Sequence, residues 1–220
     1  MLFRSHKISS VIFDCDGVIL DSNSLKTQVF ELVLTKFDVN ASVINQFVSF
    51  HKQFGGISRY VKFKKLFEFM DLEFDQVIYD RLLIEFSDLC LEKYKECDLT
   101  PHCLEVLGDL KKNGIKLYVV SGSDEHELRL VFKYKKLERF FEKIYGSPKT
   151  KLDSLSLLSH KMNLKNTVFI GDAVSDFEAA SQYQLPFFFM KRFSDNKSQM
   201  TMLSEEHGHQ IIDTLRDFKV

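Results

Sequence analysis

The sequence lacks the features that mark nucleic-acid-binding, secreted and membrane-spanning proteins. Its 30 basic and 31 acidic residues leave a net charge of -1, so its long-range field will not select a polyanion. No apolar run approaches the ~18 residues of a membrane span, and no signal-peptide-like segment precedes the first acidic residues. The four cysteines form no C-x-x-C pair, which favours reduced thiols. We therefore expect a cytoplasmic protein without nucleic-acid or membrane partners; its oligomeric state cannot be read from the sequence.

Short apolar runs alternate with helix-length segments along most of the chain. The runs are rich in β-branched and aromatic residues and nearly continuous in apolar character, as in strands that are buried on both faces. They read VIFDCDGV, KLYVVSGS, EKIYGS, TVFIGD and LPFFFMK. This alternation predicts βαβ units and an α/β core with a doubly wound, Rossmann-like parallel sheet.

Residues 22–97 interrupt the alternation because they contain no good strand pattern. Apolar residues instead recur at helical spacing in SLKTQVFELVLTKF and in DRLLIEFSDLCLEKY. The segment is too long for a simple crossover between two strands. We predict an inserted all-helical cap domain over residues 22–97 and a core of residues 1–21 and 98–220, with linkers near Asp21–Asn23 and Asp98–Pro101.

Two helices of the core carry recognisable end signals. Thr100 followed by Pro101 predicts a helix start, and Asn113-Gly114 predicts the end of that helix. Ser175 and Glu178 have the spacing of a capping box. We therefore expect a helix to begin directly after the strand TVFIGD.

Polar side chains follow several of the predicted strands. Because ligands of open parallel sheets bind beyond the carboxyl ends of the strands, these side chains should meet at one edge. Converging carboxylates repel one another unless a divalent cation lies among them, and a site of hard oxygen ligands with room for water and phosphate favours Mg²⁺. Asp14 and Asp172 would be its side-chain ligands, together with the backbone carbonyl of Asp16. The full set is Asp14, Asp16, Ser121, Gly122, Lys149, Lys151, Asp172 and Asp176.

Four of these segments together resemble the motifs of the haloacid dehalogenase superfamily. DCDGVILDS, VVSGS, GSPKTK and GDAVSD occur in the usual order, and the resemblance extends over nearly the whole chain. A helical cap after the first motif is similar to that of the phosphatases and β-phosphoglucomutases of the superfamily. The resemblance implies a phosphoryl-transfer enzyme.

Residue by residue, the resemblance makes Asp14 a nucleophile that forms an aspartyl-phosphate. It makes Asp16 the general acid for the leaving oxygen and then the base that activates water. Ser121 and the neighbouring amides, including that of Gly122, would hold phosphoryl oxygens. Asp172 would bind Mg²⁺ with support from Asp176, so the implied metal set is Asp14, Asp16, Asp172 and Asp176.

The superfamily also places one lysine after the third strand, and this chain offers two. Lys151 directly precedes the helical pattern of Leu152, Leu155 and Leu158, so we prefer Lys151 as the phosphate-binding lysine. Lys149 would then be a solvated loop residue.

The residue at position 16 narrows the set of reactions that the resemblance implies. Dehalogenases and phosphonatases of the superfamily lack an aspartate there, so Asp16 implies phosphate-ester chemistry. β-Phosphoglucomutases typically carry a histidine where this chain has Lys26, which favours a phosphatase over a sugar phosphomutase. A non-catalytic binding module of the same fold is a third interpretation, although none of the motif residues is missing. The expected substrate is a small phosphorylated metabolite, a sugar or sugar-acid phosphate.

The segment HKQFGGISRYVKFKK lies in the predicted cap. Gly55-Gly56 would end one helix, and Ser58 would cap the next. In the resembled family a cap loop at this position selects the substrate, so Arg59 and Lys62 are candidates to meet an anionic or polyhydroxyl group. The alternative is an ordinary helix–turn–helix with solvated basic residues.

Overall fold

The computed structural model describes residues 8–219, and these residues form a core built on one six-stranded parallel sheet. Its strands are β1 (Ser10–Phe13), β2 (Lys116–Asp124), β3 (Phe141–Ser147), β4 (Thr167–Gly171), β5 (Phe187–Met190) and β6 (Gln210–Ile212). The strand order is β3-β2-β1-β4-β5-β6, so the chain builds outward from β1 on one side and then on the other. This arrangement confirms the predicted doubly wound α/β core.

Helices connect the strands and cover both faces of the sheet. They are α1 (Asn23–Lys36), α2 (Ala41–Gln53), α3 (Arg59–Phe69), α4 (Gln76–Glu96), α5 (Cys103–Lys112), α6 (Glu125–Tyr134), α7 (Lys151–Ser159), α8 (Val174–Gln182) and α9 (Lys197–Glu206). Within residues 8–219, none of the helices is long and apolar enough to cross a membrane.

Side chains along each strand alternate between two apolar layers, as the period of a β-strand requires. Phe13 belongs to the layer that contains Leu107 of α5. Its neighbour Ile12 belongs to the layer that contains Leu155 of α7 and Ala180 of α8. The sheet is therefore sandwiched between helices, which explains why its strands read as continuous apolar runs.

The four helices α1 to α4, which we call the helical block (Asn23–Glu96), pack around phenylalanine rings. Each helix contributes a buried phenylalanine ring to this centre, and these are Phe30, Phe47, Phe63 and Phe86. The Phe30 ring centroid lies 5.2 Å from that of Phe47, 5.4 Å from that of Phe63 and 4.2 Å from that of Phe86. The block thus has its own aromatic centre, in which tilted and edge-on rings pack favourably.

The two connections between the block and the sheet run side by side. Leu20 and Leu99 form an antiparallel bridge, and the amide of Asp21 donates to the carbonyl of Asp98 at 3.0 Å. These residues lie where the sequence predicted linkers. The predicted core also includes residues 1–7 and residue 220, which lie outside the described residues.

The predicted helix start at Thr100 is wrong. Helix α5 begins at Cys103, after His102, and the Thr100 hydroxyl donates to the carbonyl of Val18 at 2.5 Å. Thr100 thus ties the returning connection to the loop after β1 instead of capping the helix. The helix ends at Lys112, as predicted.

The predicted capping box in helix α8 is also wrong. The helix begins at Val174, so Ser175 lies within its first turn. The carboxylate of Asp176 accepts a hydrogen bond from the amide of Ala173 at 3.1 Å. Asp176, two residues after the helix start, thus makes the capping contact that was predicted for Glu178.

Candidate active site

The polar residues of the motifs meet at the carboxyl edge of the sheet. Asp14 follows β1 and Asp172 follows β4, and these adjacent strands flank the point where the direction of winding reverses. Lys151 is the first residue of α7, and Asp176 lies in the first turn of α8. This is the position at which open α/β sheets bind their ligands.

Three buried carboxylates form a group at this edge. One oxygen each of Asp14, Asp172 and Asp176 can be chosen so that all lie within 4.8 Å of one another. Burial raises the pKa of Asp14 to about 7, with Asp176 and Asp16 adding to the rise and Lys151 opposing it. Burial and the neighbouring Asp14 also raise the pKa of Asp172. When all three are ionised, the group carries three negative charges, and burial together with their mutual repulsion favours proton uptake.

Lys151 is the lysine that reaches this group. Its ammonium lies 3.3 Å from a carboxylate oxygen of Asp14 and also pairs with Asp176. Burial alone would lower the pKa of Lys151, but Asp14 and Asp176 outweigh it and raise the pKa. Lys149 is exposed and pairs with Glu125 at 3.3 Å.

Asp16 is held apart from the other carboxylates by its own set of donors. Its oxygens accept hydrogen bonds from Lys26 at 2.5 Å, from Ser22 and Tyr94 at 2.6 Å, and from Ser123 at 2.7 Å. Burial would raise the pKa of Asp16, but Lys26 and these hydrogen bonds outweigh it and hold the pKa below its usual range. The side chain of Asp16 thus lies outside the metal-capable group; the sequence analysis predicts a metal role for its backbone carbonyl, not for its carboxylate.

The end of β2 contributes a hydroxyl, although the contact with Asp16 comes from Ser123 and not from Ser121. Ser121 is buried, and its hydroxyl accepts a hydrogen bond from the amide of Ser123 at 3.2 Å. Gly122 lines the cavity between the sheet and the helical block. The structure therefore brings Ser121 and Gly122 to the predicted edge.

The Gly55-Gly56 turn of the helical block closes over this edge. A Cβ atom at Gly122 would lie 2.0 Å from the carbonyl oxygen of Gly56, so only glycine permits this approach. Gly56 has a φ of +74°, and a Cβ there would lie 2.8 Å from the ammonium of Lys151. The turn therefore lies directly against the candidate site.

Arg59 does not point an unpaired charge at the cavity. It is 6% exposed and makes a two-pronged ion pair with Glu127 of α6. The hydroxyl of Ser87 also donates to Glu127. The sequence prediction expected Arg59 to meet an anionic or polyhydroxyl group; in the structure its charge joins the helical block to the core.

Lys62 lines the same cavity and is even less exposed than Arg59. It is 2% exposed, and its ammonium lies 2.6 Å from Nδ1 of His51. Both residues line the cavity that also contains Asp14 and Asp172. Burial, reinforced by Lys26, lowers the pKa of Lys62 to about 7.

Several residues of the site were missed from the sequence. Asn23 donates to Asp172 at 2.6 Å, and Tyr94 was read only as part of an apolar helix face. His51 and Glu127 gave no local signal, because their partners lie 11 and 68 residues away. Ser123 lies in the motif VVSGS, and His51 is the first residue of the segment HKQFGGISRYVKFKK, but neither was assigned a role.

Comparisons with known proteins agree with this arrangement. Residues 11–190 match the family described as haloacid dehalogenase-like hydrolase. Pyrophosphatase PpaX of Oceanobacillus iheyensis is 21% identical over 173 residues, which cover 75% of each chain.

Solved structures share the fold at similarly low identity. A predicted phosphoglycolate phosphatase from Haemophilus somnus has a TM-score of 0.79 and 18% identity, with 97% of each chain covered. A β-phosphoglucomutase from Clostridium difficile has a TM-score of 0.74 and 20% identity, with 96% of this chain and 93% of that chain covered.

The fold and the converging motifs define an α/β hydrolytic enzyme with its site at the carboxyl edge of a parallel sheet. Because the family match spans most of the chain, the protein belongs to the haloacid dehalogenase-like hydrolases.

Proposed function

We propose that the protein is a Mg²⁺-dependent phosphatase that hydrolyses a small phosphorylated metabolite, a sugar or sugar-acid phosphate. The observation that carries this proposal is the separation of two neighbouring acids. Asp14 lies beside Lys151 and the metal-capable carboxylates, whereas Asp16 is held by four hydrogen-bond donors of its own. Two carboxylates in different environments suit a nucleophile and a proton-transfer group.

In the proposed reaction a carboxylate oxygen of Asp14 attacks phosphorus and the ester P–O bond breaks. The leaving alkoxide takes a proton from Asp16. Water then attacks the aspartyl-phosphate and gives a proton to Asp16, which releases inorganic phosphate and restores Asp14. Lys151 and the amides near Ser121 and Gly122 would stabilise the charge on the transferred group.

Asp16 needs a proton for the first of these steps. Its hydrogen bonds favour the carboxylate in the ligand-free site, which suits its later role as a base. A phosphate dianion bound at Asp14 adds negative charge nearby and so raises the pKa of Asp16. Binding of the substrate would thus prepare the acid.

The donor set fits a magnesium ion. Carboxylate oxygens are the ligands that Mg²⁺ prefers, and one oxygen each of the buried Asp14, Asp172 and Asp176 can be chosen within 4.8 Å of one another. Asp14 and Asp172 would hold the ion with the backbone carbonyl of Asp16, while Asp176 supports Lys151. When bound, the ion would supply charge neutralisation for the phosphoryl group.

We also propose that residues 22–97 act as a cap domain that selects the substrate. The support is positional, since the Gly55-Gly56 turn and Lys62 enclose the cavity above Asp14. An enclosed cavity excludes large substrates and favours a small phosphate ester.

The test is phosphate release from a panel of sugar phosphates, sugar-acid phosphates and nucleotides, with Mg²⁺ or with EDTA. We expect Mg²⁺-dependent release that falls at least about a thousandfold in Asp14→Asn, because the nucleophile is lost. Asp21→Asn makes the same chemical change at an exposed position of the same motif and should retain activity. Full activity of Asp14→Asn or in EDTA would refute the proposal, and formation of an isomeric sugar phosphate would identify transfer to a second hydroxyl instead.

A further inference from the structure

Lys62 is a buried cation without an acidic partner. Its ammonium contacts Nδ1 of His51 at 2.6 Å and the carbonyl of the same residue at 3.4 Å. No ion pair links Lys62 to a carboxylate anywhere in residues 8–219. A buried ammonium is costly unless it is paired, so this position demands a counter-ion.

Apart from the exposed Lys52, the other cations of the cavity and its rim already have counter-ions. Lys26 pairs with Asp16 at 2.5 Å, Arg59 pairs with Glu127, and Lys151 pairs with Asp14 and Asp176. These pairs leave Lys62 as the buried cavity-lining cation that has no ion pair within residues 8–219. The exposed Asp195, which lines the same cavity, acts on Lys62 only from beyond ion-pair distance.

His51 adds a second unsatisfied donor. The ring is 5% exposed, and burial and the neighbouring Lys62 lower its pKa, so it is neutral. Because an ammonium only donates, Nδ1 of His51 accepts from Lys62 and the ring proton lies on Nε2. The Nε2 atom is buried and has no hydrogen-bond partner among the described residues.

Both groups line the cavity that contains Asp14. A cation and a neutral N–H donor together call for an acceptor that carries negative charge. In the proposed reaction the phosphate to be cleaved binds at Asp14, where Lys151 supplies the cation, so we assign the acceptor at Lys62 and His51 to a different part of the same substrate.

We propose that Lys62 and His51 form a second anion-binding subsite, and that the substrate is a phosphate ester which carries a second anionic group, a carboxylate or another phosphate. This inference rests on the proposed phosphatase function, whose substrate class it narrows from sugar or sugar-acid phosphates to phosphate esters with a second anionic group. The proposed cap domain would therefore select substrates by the charge of the group that lies away from the phosphate to be cleaved.

The test uses substrate pairs that differ in the second anionic group. Glucose 6-phosphate is compared with 6-phosphogluconate for the carboxylate arm, and fructose 6-phosphate with fructose 1,6-bisphosphate for the phosphate arm. In the wild-type protein, kcat/KM should favour one of the doubly anionic members by at least about tenfold, as expected for a charge-assisted hydrogen bond. In Lys62→Met this preference should collapse to about threefold or less, mainly through KM.

Two controls make the result decisive. Lys64→Met makes the same change at an exposed position of the same helix and should keep the wild-type preference. Calorimetric binding of each pair to Asp14→Asn, with and without Lys62→Met, reports on the subsite without turnover, so failure of the subsite and failure of catalysis are distinguishable. A wild-type protein without a preference for the second anion, or a preference unchanged by Lys62→Met in both assays, would overturn the inference.

Discussion

Replacement of Lys62 by Met should stabilise the ligand-free protein, and more so at low pH. Burial lowers the pKa of Lys62 from its ordinary 10.5 to about 7, and each pKa unit is worth about 1.4 kcal/mol. Below pH 7 the folded protein must keep a charged, buried ammonium, at a cost of about 5 kcal/mol at pH 6. Met has a similar length and no charge, so it retains the packing and removes this cost.

The sign of the pH dependence follows from where the proton is bound. Between pH 7 and 10.5 the unfolded chain keeps the proton on Lys62 and the folded chain releases it, so stability rises with pH in this window. At pH 9 the remaining cost is about 2 kcal/mol. Lys26 and Lys151 act in the same direction as burial, and Asp16 and Asp195 oppose them. The advantage of Lys62→Met should therefore shrink by about 3 kcal/mol from pH 6 to pH 9.

Urea unfolding of both proteins from pH 6 to pH 9 measures this difference. EDTA in all samples keeps the carboxylates of Asp14, Asp172 and Asp176 free of metal in both proteins. Lys64→Met, an exposed control, should differ from wild type by less than about 0.5 kcal/mol. A Lys62→Met protein that is less stable at pH 6, or whose advantage grows with pH, would refute the reasoning.

Two further predictions concern contacts between the helical block and the core. Arg59→Met leaves Glu127 buried without its cationic partner and should lower the free energy of unfolding by about 3 to 5 kcal/mol. A second change, Glu127→Leu, should restore most of this loss, because it removes the unpaired buried charge. Urea unfolding that shows no recovery in the double variant would contradict this reasoning. Gly122→Ala places a Cβ 2.0 Å from the Gly56 carbonyl, so the turn must lift and kcat/KM should fall by at least about tenfold. The control Gly108→Ala meets no atom within 4 Å, and equal activity of the two alanine variants would be inconsistent with a closed turn.

The strands and the convergence of the motifs were predictable because both depend on local patterns. A strand buried on both faces must be apolar throughout, and polar residues at the carboxyl ends of parallel strands must share an edge. β6 was missed because it spans only Gln210–Ile212 and is partly exposed. Its short, mixed pattern does not differ from that of a loop.

The environments of the site residues were not predictable in the same way. Arg59 reads as a cation at the start of a helix, and nothing near it in the sequence indicates Glu127, which lies 68 residues further on. Lys62 is also a cation in the first turns of the same helix, yet it forms no ion pair with a carboxylate within residues 8–219. Which of two similar cations is neutralised depends on the packing of α3 against α6, so the distinction needed the structure.

The charges of the site explain why its acids tolerate burial. Four carboxylates at the edge of the sheet face two ammonium groups, Lys26 and Lys151, so two negative charges are uncompensated when all are ionised. The raised pKa values of Asp14 and Asp172 mean that protons neutralise part of this excess in the ligand-free protein. A divalent cation would replace those protons and leave the edge neutral, which a phosphate dianion requires before it can approach Asp14. The carboxylates at the edge of the sheet thus require a cation to offset their charge, and the ammonium of Lys62 in the helical block requires an anion.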